Sequence, residues 1–270
     1  MKRVGIRTVV TIALMIGVVM TPTIQGAIGG DKDKGFDIAA RSDRSDTGFG
    51  NSRVELKMIL YNGAGSETTR SMSIHTLEIP SDDLGDRSLI VFENPADVSG
   101  TALLSHARIL DPDDQWLFLP ALKRTKRISS VNKSGPFMGS EFAFEDLTSE
   151  ELNKFEYNFL RSEPCSDLVC DVVERVPRYE HSGYKRQIAW FDQDIHQLRK
   201  IEFYDRRNEL SKVMTVKDYR QYQDKYWRAH NYSMINVKTK KSTDLVYSDY
   251  QFKLGLSKHD FERAALRRIR

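Results

Sequence analysis

Apolar and polar residues alternate along most of the chain after residue 52. In the stretch RVELKMIL, residues 53–60, every second position from Val54 onward is apolar. Strict alternation is typical of a strand with one buried face. The next residues, YNGAGSET, contain Asn62-Gly63, a strong signal for a hairpin turn. The sequence therefore predicts a hairpin whose return strand is TRSMSIHTLEI, residues 69–79.

The same rhythm repeats towards the C-terminus. Comparable segments include RSLIVFEN, QWLFLP, RQIAWFD and STDLVYSDYQF, with turn residues between them. About ten strands separated by short turns favour an antiparallel meander, in which sequence neighbours pair in space. No linker-like composition interrupts the run. We therefore predict a mainly β fold, a single large curved antiparallel sheet that forms one domain over residues 51–270.

Helical signals are few. A short helix is predicted near Asp37 to Arg44, within a flexible N-terminal segment (residues 28–50), and another near Leu147 to Lys154. The C-terminal stretch SKHDFERAALRRI begins with Ser257 as an N-cap, and Asp260 follows three residues later, close to a capping box. Short helices of this kind, or a ligand, must cover one face of the predicted sheet.

The first residues have the pattern of an export signal. Three basic residues precede an apolar run from Val9 to Met20, Pro22 breaks the run, and Ala27 offers a small residue for cleavage. A membrane span needs about 20 apolar residues, so this run is too short and suits a secretory signal. We predict a cleaved signal peptide over residues 1–27 and a periplasmic protein, with an uncleaved anchor as the alternative.

Without this segment the charges balance. The chain has 41 Lys+Arg and 38 Asp+Glu, and removing the three basic residues before Ala27 leaves 38 basic against 38 acidic residues. A balanced charge gives no reason to expect a nucleic-acid partner. Any electrostatic partner must therefore be recognised by a local patch.

The two cysteines, Cys165 and Cys170, are predicted to form a disulfide. An exported chain meets an oxidising compartment, and the four intervening residues suit a hairpin turn. A redox-active pair would need the C-x-x-C spacing, which is absent. Since the closed loop is small, this structural crosslink is expected to add only about 2 kcal/mol of stability.

No catalytic or metal-binding motif is evident in the sequence. The six histidines include no pair at i, i+4, and no G-x-S-x-G, phosphate-binding or dinucleotide-binding fingerprint occurs. The adjacent acids at 113–114 and 150–151 make poor acid–base pairs, because neighbouring side chains on a strand point apart. The sequence therefore predicts neither an enzyme nor a bound metal or other cofactor.

The chain carries three distinctive stretches: GTALLSHARIL (100–110), DDQWLFLPALKRTKRISSVNKSGPFMGSEFAFEDL (113–147) and IEFYDRRNELSKVMTV (201–216). They resemble the LolA-like family of outer-membrane lipoprotein-sorting proteins, and in particular its uncharacterised pallidum-type branch of exported proteins. The resemblance implies a strongly curved antiparallel sheet, a half-open barrel with short helices plugging its concave side. It also implies a protein that binds acyl chains or lipidated proteins in the periplasm.

Relatives in this branch often accompany membrane exporters of the resistance-nodulation type, so the resemblance implies such an exporter as a further partner. Two functions follow. The first is a non-enzymatic periplasmic carrier of lipid or acylated lipoprotein. The alternative is an accessory or sensor domain that docks on the exporter and carries no cargo.

A carrier needs an apolar hollow. In QWLFLP both faces of the strand are apolar, which is typical of a strand that covers a core on one face and borders a cavity on the other. Phe137 and Met138 are predicted to fold over the opening, although an ordinary core position explains them equally well. We predict that the following residues line the lipid cavity: Trp116, Phe118, Leu119, Phe137, Met138 and Phe142.

A basic stretch and an acidic stretch follow this strand. The residues from Ala121 to Ser140 include five positive charges and no negative one, and those from Glu141 to Glu151 show the reverse. We predict that the basic stretch lies at the cavity mouth and meets phosphate headgroups or an acidic partner. Pairing between a basic and an acidic strand is the alternative. The predicted contact residues are Lys123, Arg124, Lys126 and Arg127.

Overall fold

The structure, a computed structural model, describes residues 28–81, 84–148 and 151–269. The predicted signal peptide, residues 1–27, lies outside these ranges. One helix, α1, spans Ile28–Ser45. The described strands are β1 (Asn51–Tyr61), β2 (Glu67–Leu77), β3 (Leu84–Asn94), β4 (Ala102–Arg108), β5 (Asp114–Leu119), β6 (Arg124–Ile128), β7 (Phe155–Cys165), β8 (Leu168–Pro177), β9 (Tyr184–Asp192), β10 (Leu198–Asp205), β11 (Leu210–Tyr222), β12 (Tyr226–Asn236) and β13 (Ser242–Phe252).

All 13 of these strands form one antiparallel sheet, in the order β6-β5-β4-β3-β2-β1-β13-β12-β11-β10-β9-β8-β7. Each strand lies beside its sequence neighbours, as predicted for a meander, except that β6 and β7 lie at opposite edges and β1 pairs with β13. This one long-range pairing joins two meanders into a curved sheet that does not close. The prediction of a mainly β, half-open barrel is confirmed.

The segment between β6 and β7 must connect the two edges of the sheet. These two strands occupy opposite edges of the sheet, and twelve interstrand spacings of about 4.8 Å would separate the edges of a flat sheet by about 58 Å. The sheet curls instead, as the ion pair between Lys154, just before β7, and Asp113, just before β5, shows. Residues 129–154, called the plug below, cross this curl from one edge to the other.

The first hairpin forms as predicted. Val54, Leu56 and Met58 are buried on alternate positions of β1, and β1 pairs with β2 from Asn51↔Leu77 to Tyr61↔Glu67. In the turn, the Asn62 side-chain oxygen accepts hydrogen bonds from the backbone N–H groups of Ala64 and Ser66. An Asn side chain that replaces backbone partners in this way explains its preference for turns.

Helix α1 is longer than predicted, since it begins at Ile28 rather than near Asp37. It packs against β7, with Ile38 and Ala39 buried against the sheet. Gly35 permits this contact, because a Cβ atom there would lie 2.7 Å from the backbone nitrogen of Phe159. The sequence predicts too short a helix because few residues of α1 are apolar. The stability of α1 therefore depends on tertiary contacts.

The two other predicted helices are replaced by short 3-10 turns, at Phe144–Leu147, Leu152–Lys154, Lys258–Phe261 and Ala265–Arg268. The predicted C-terminal cap is present: the Asp260 carboxylate accepts hydrogen bonds from the backbone N–H and the hydroxyl of Ser257, at 2.8 and 2.9 Å. Residues 254–269, called the strap below, follow β13 and pack on the sheet.

The sheet has an apolar cluster on each face. The inner cluster combines residues from strands across the sheet, including Leu56, Phe92 and Leu103, with residues of the plug and α1. The outer cluster is smaller and lies between strands β3 to β5 and the strap, whose Phe261 and Leu266 are fully buried. Both faces of the sheet are therefore covered by the chain itself near β3 to β5.

Cys165 and Cys170 form the predicted disulfide at the end of the β7–β8 hairpin, with their Cα atoms 5.8 Å apart. No helix within the described ranges is both long enough and apolar enough to cross a membrane.

Candidate functional site

The plug places aromatic side chains in the hollow of the sheet. Phe137 is fully buried, and its ring lies 5.7 Å from that of Phe92 on β3 and 5.4 Å from that of Phe144 (centroid to centroid). The backbone N–H of Phe137 donates a 2.8 Å hydrogen bond to the carbonyl of Phe142, which is also buried. This small hairpin inside the plug therefore fills the centre of the hollow.

Side-chain hydrogen bonds fasten this hairpin to the sheet. The backbone N–H of Glu141 donates to the Thr243 hydroxyl at 3.0 Å, and Asn236 donates from Nδ2 to the Glu141 carboxylate at 2.9 Å. Arg70 on β2 donates to the carbonyl of Met138. The plug thus reaches β2, β12 and β13 at once, which is possible only from the concave side of a curved sheet.

A second attachment uses the two acidic residues that end the plug's aromatic stretch. Glu145 accepts hydrogen bonds from the hydroxyls of Tyr179 and Ser182, both at 2.9 Å, and from the backbone N–H of Gly183 at 2.8 Å. Asp146 accepts a 3.0 Å hydrogen bond from the Tyr184 hydroxyl. These contacts tie the plug to β9 and to the loop before it.

Burial makes Asp146 unusual. The loss of solvent, and secondarily the neighbouring Glu145 charge, raise the pKa of Asp146 to about 7. Burial and the Asp146 carboxylate raise the pKa of Tyr184 well above its ordinary value, so its hydroxyl keeps the proton that it donates. The plug is therefore held through a carboxyl group that becomes charged only near neutral pH.

This carboxyl group should make stability depend on pH. The unfolded chain ionises Asp146 near pH 4, whereas the folded protein holds the proton to about pH 7, so stability falls as pH rises between those values. Each unit of difference between the folded and unfolded pKa values changes the free energy of unfolding by about 1.4 kcal/mol. We therefore expect Asp146→Asn to be about 2 to 4 kcal/mol more stable than the parent at pH 8 and nearly equal to it at pH 4. Urea unfolding at both pH values measures this.

Asp97, an exposed residue of the β3–β4 turn, supplies the control. Asp97→Asn removes a carboxylate of the same kind without touching the plug, so it should leave the pH dependence of stability as it is in the parent. Equal slopes of unfolding free energy against pH for the parent and Asp146→Asn would contradict the assignment.

The third attachment is a buried ion pair. Lys154 bonds to the Asp113 carboxylate with both side chains more than 90% buried, and Lys133 bonds to the backbone carbonyl of Asp113. Burial lowers the pKa of Lys133. Removing either partner of a buried pair leaves an uncompensated charge. Lys133 near the start of the plug and Lys154 at its end therefore both hold it beside the β4–β5 turn.

A cavity of about 60 Å³ remains beneath the plug. Its floor is apolar and consists of side chains of Phe155, Ile201, Phe203 and Met214, while its mouth lies between the loops at 111–113 and 179–181. At about 10 to 15 Å³ for each enclosed water, this space suits about four to six waters and is far too small for a long acyl chain. This cavity therefore has no room for an acyl chain in the present conformation.

The structure brings together four of the six residues predicted to line a cavity. Leu119, Phe137, Met138 and Phe142 belong to the inner cluster. Trp116 and Phe118 instead lie on the outer face in the cluster with Phe261 and Leu266 of the strap. The reason is that alternate residues of a strand face opposite sides, and a strand with two apolar faces does not indicate which side is inner.

The predicted basic contact residues lie on or beside β6. Arg124, Lys126 and Arg127 lie on the edge strand β6, and Lys123 immediately precedes it. None of the four lines the cavity, although Lys133 from the same basic stretch does. Arg127 forms an ion pair with Asp114. The polar residues that attach the plug were not predicted. The hydrogen-bond partners of an acidic side chain lie on distant strands, and nothing in the neighbouring sequence indicates them.

Within the described residues, no group of three or more His, Cys, Asp or Glu side chains is placed to bind a metal ion. The strongest polar cluster, around Glu145 and Asp146, is saturated by hydrogen bonds from tyrosine, serine and backbone donors. Its geometry suits the attachment of a loop.

Comparison with known proteins decides the family. A family profile described as "Uncharacterized protein" matches residues 85–268. A crystal structure from Vibrio parahaemolyticus, of a domain described as an outer-membrane lipoprotein-sorting protein, is 46% identical, with a TM-score of 0.85 over 87% of this chain and 99% of that one. The chain belongs to the LolA-like family of lipoprotein-sorting proteins.

Two further structures resemble this LolA-like protein. A DUF1329 family protein from Desulfovibrio piger is 28% identical, with a TM-score of 0.82 over 87% of this chain and 99% of that chain. A LolA superfamily protein from Nitrosomonas europaea is 20% identical, with a TM-score of 0.68 over 86% and 98%, and shares the fold. A search of curated proteins finds no match. The range matched by the family profile includes the whole plug.

Proposed function

We propose that this LolA-like protein is a non-enzymatic periplasmic carrier that shields the acyl chains of a lipid or an acylated lipoprotein in the hollow of its sheet. One observation carries the proposal: the inner, apolar face of a 13-stranded half-open barrel is covered mainly by a single connecting segment. The family membership, and the description of the relative from Vibrio parahaemolyticus, support the same role.

The energetics favour such a hollow. Each methylene that leaves water gains about 0.8 kcal/mol, so a sixteen-carbon chain gains about 12 kcal/mol on entering an apolar site. The plug's own aromatic rings already occupy the hollow, so cargo would exchange one apolar filling for another. Shielding an acyl chain requires no bond to be made or broken, which agrees with a role without catalysis.

Loading requires the plug to move. The cavity of about 60 Å³ cannot hold an acyl chain, so the proposal requires a second conformation in which Phe137 and Phe142 leave the hollow. Cargo that binds only the open conformation shifts the population towards it. The side-chain hydrogen bonds that hold the plug at Thr243 and Asn236 are the contacts that must break.

A periplasmic location fits the disulfide, since such bonds persist in oxidising compartments. The exporter-docking alternative has no specific feature in its favour among the described residues.

Uptake of a fluorescent sixteen-carbon fatty acid by delipidated protein tests the carrier function. We expect saturable uptake of about one molecule per chain, reversed by unlabelled palmitate and unaffected by hexanoate, whose chain buries too little apolar surface. Absence of saturable uptake, or equal competition by hexanoate, would count against a site for long acyl chains.

A further inference from the structure

A basic groove of about 570 Å³ lies between the start of β6 and the strap. Four of its six lining residues are cationic and none is acidic. None of them lines the cavity beneath the plug, so the groove is a separate feature of the molecule. The lining residues are Lys123, Arg124, Thr125, Arg263, Ala264 and Arg267.

The strap holds its arginines in place. Phe261 and Leu266 are fully buried on the outer face of the sheet, and they bracket Arg263 in the chain. The Arg263 guanidinium lies 6.0 Å from the centre of the Trp116 ring on β5. Residues separated by about 140 positions are therefore brought together by a packed anchor, and the groove is a fixed part of the fold.

The groove's charges are not neutralised by the protein. Within the described ranges, Lys123, Arg124, Arg263 and Arg267 form no ion pair, and all four are exposed. Arg127, nearby on β6, differs in that it pairs with Asp114. Four like charges around one depression repel each other and attract an anion.

An exposed apolar side chain adjoins the groove. Leu122, next to Lys123, is 62% exposed. Cations beside an exposed apolar residue are typical of surfaces that meet anionic phospholipids, because phosphates pair with the cations while the apolar side chain enters the acyl boundary. We propose that the basic groove docks the protein on membranes that contain anionic phospholipids.

This inference rests on the proposed carrier function for its role in the cell, because a carrier must meet the membranes between which cargo moves. The two proposals nevertheless fail separately. Vesicle binding reports the groove, whereas fatty-acid uptake reports the hollow, and the two sites share no lining residue.

Co-sedimentation with vesicles tests the groove. The parent protein is expected to bind vesicles of phosphatidylcholine and phosphatidylglycerol (7:3) at least ten-fold more tightly than pure phosphatidylcholine, and less tightly as salt is raised. The variant K123Q/R124Q/R263Q/R267Q is expected to lose at least ten-fold in affinity for the anionic vesicles while it takes up fatty acid like the parent.

The matched control removes four exposed cations elsewhere, in K57Q/K185Q/R207Q/K217Q, and should stay within about three-fold of the parent, because the attraction acts mainly within a Debye length of about 10 Å. Equal losses in both variants would assign binding to net charge and overturn the proposal. The proposal is also overturned if the parent protein does not bind anionic vesicles, the result expected if the groove binds an acidic protein instead.

Discussion

Replacing Phe137 by alanine is expected to lower the free energy of unfolding by about 3 to 5 kcal/mol, the usual cost of removing a buried Phe ring. Phe137 is fully buried between Phe92 and Phe144, so its loss leaves a void between the plug and the sheet. Urea unfolding followed by circular dichroism measures the change.

Val131→Ala is the matched control, because Val131 belongs to the same plug and is 57% exposed. Surface substitutions of this kind usually change stability by at most about 0.5 kcal/mol. If Phe137→Ala lowered the free energy of unfolding as little as Val131→Ala, the plug would not be packed into the hollow in solution, contrary to the structure.

Locking the plug should block uptake of fatty acid. The Glu141 backbone nitrogen lies 3.0 Å from the Thr243 hydroxyl, which places the two Cα atoms within about 7 Å, the upper range that a disulfide spans. We expect oxidised E141C/T243C to take up fluorescent fatty acid at least ten-fold more slowly than the parent, because its plug cannot leave the sheet. Reduction should restore uptake.

Three controls make this result specific. The parent treated with reductant accounts for reduction of the native Cys165–Cys170 bond, the two single variants account for loss of the Glu141 and Thr243 side chains, and mass mapping confirms the intended crosslink. Parental uptake by the fully oxidised double variant would place the acyl chain somewhere other than beneath the plug.

The two experiments address different properties of the same segment. Phe137→Ala measures how strongly the closed plug contributes to the fold, and the crosslink asks whether opening precedes loading. If the plug contributes several kcal/mol to stability and also opens for cargo, the apolar packing that it loses on opening must be replaced by contacts between the sheet and the acyl chain. A carrier built in this way exposes little apolar surface when empty.

Much of the local structure was predictable from the sequence. Alternation in RVELKMIL predicted β1 and its buried face, Asn62 marked the first turn, and the short spacing of Cys165 and Cys170 in a chain predicted to be exported indicated their bond. Ser257 and Asp260 marked the start of the strap's first turn. These features depend on residues close in sequence, so their physical causes are visible there.

The arrangement of the plug was only partly predictable. The resemblance implied short helices on the concave side, and the apolar character of Phe137 and Phe142 was plain. Their complete burial was not, because it depends on the edges β6 and β7 lying at opposite ends of the sheet. The partners of Asp146 lie on β9 and could not be read from the acidic stretch alone.

The sequence by itself predicted most of the strands, the first hairpin turn, the disulfide and the resemblance to the family, but about ten strands rather than the 13 of the structure. Tertiary structure decided which side of β5 is inner, why the basic residues around β6 border the strap rather than the cavity, and how far the hollow is filled. The physical reason is that backbone geometry sets a period of two within each strand, whereas long-range pairing, above all between β1 and β13, decides which surfaces meet.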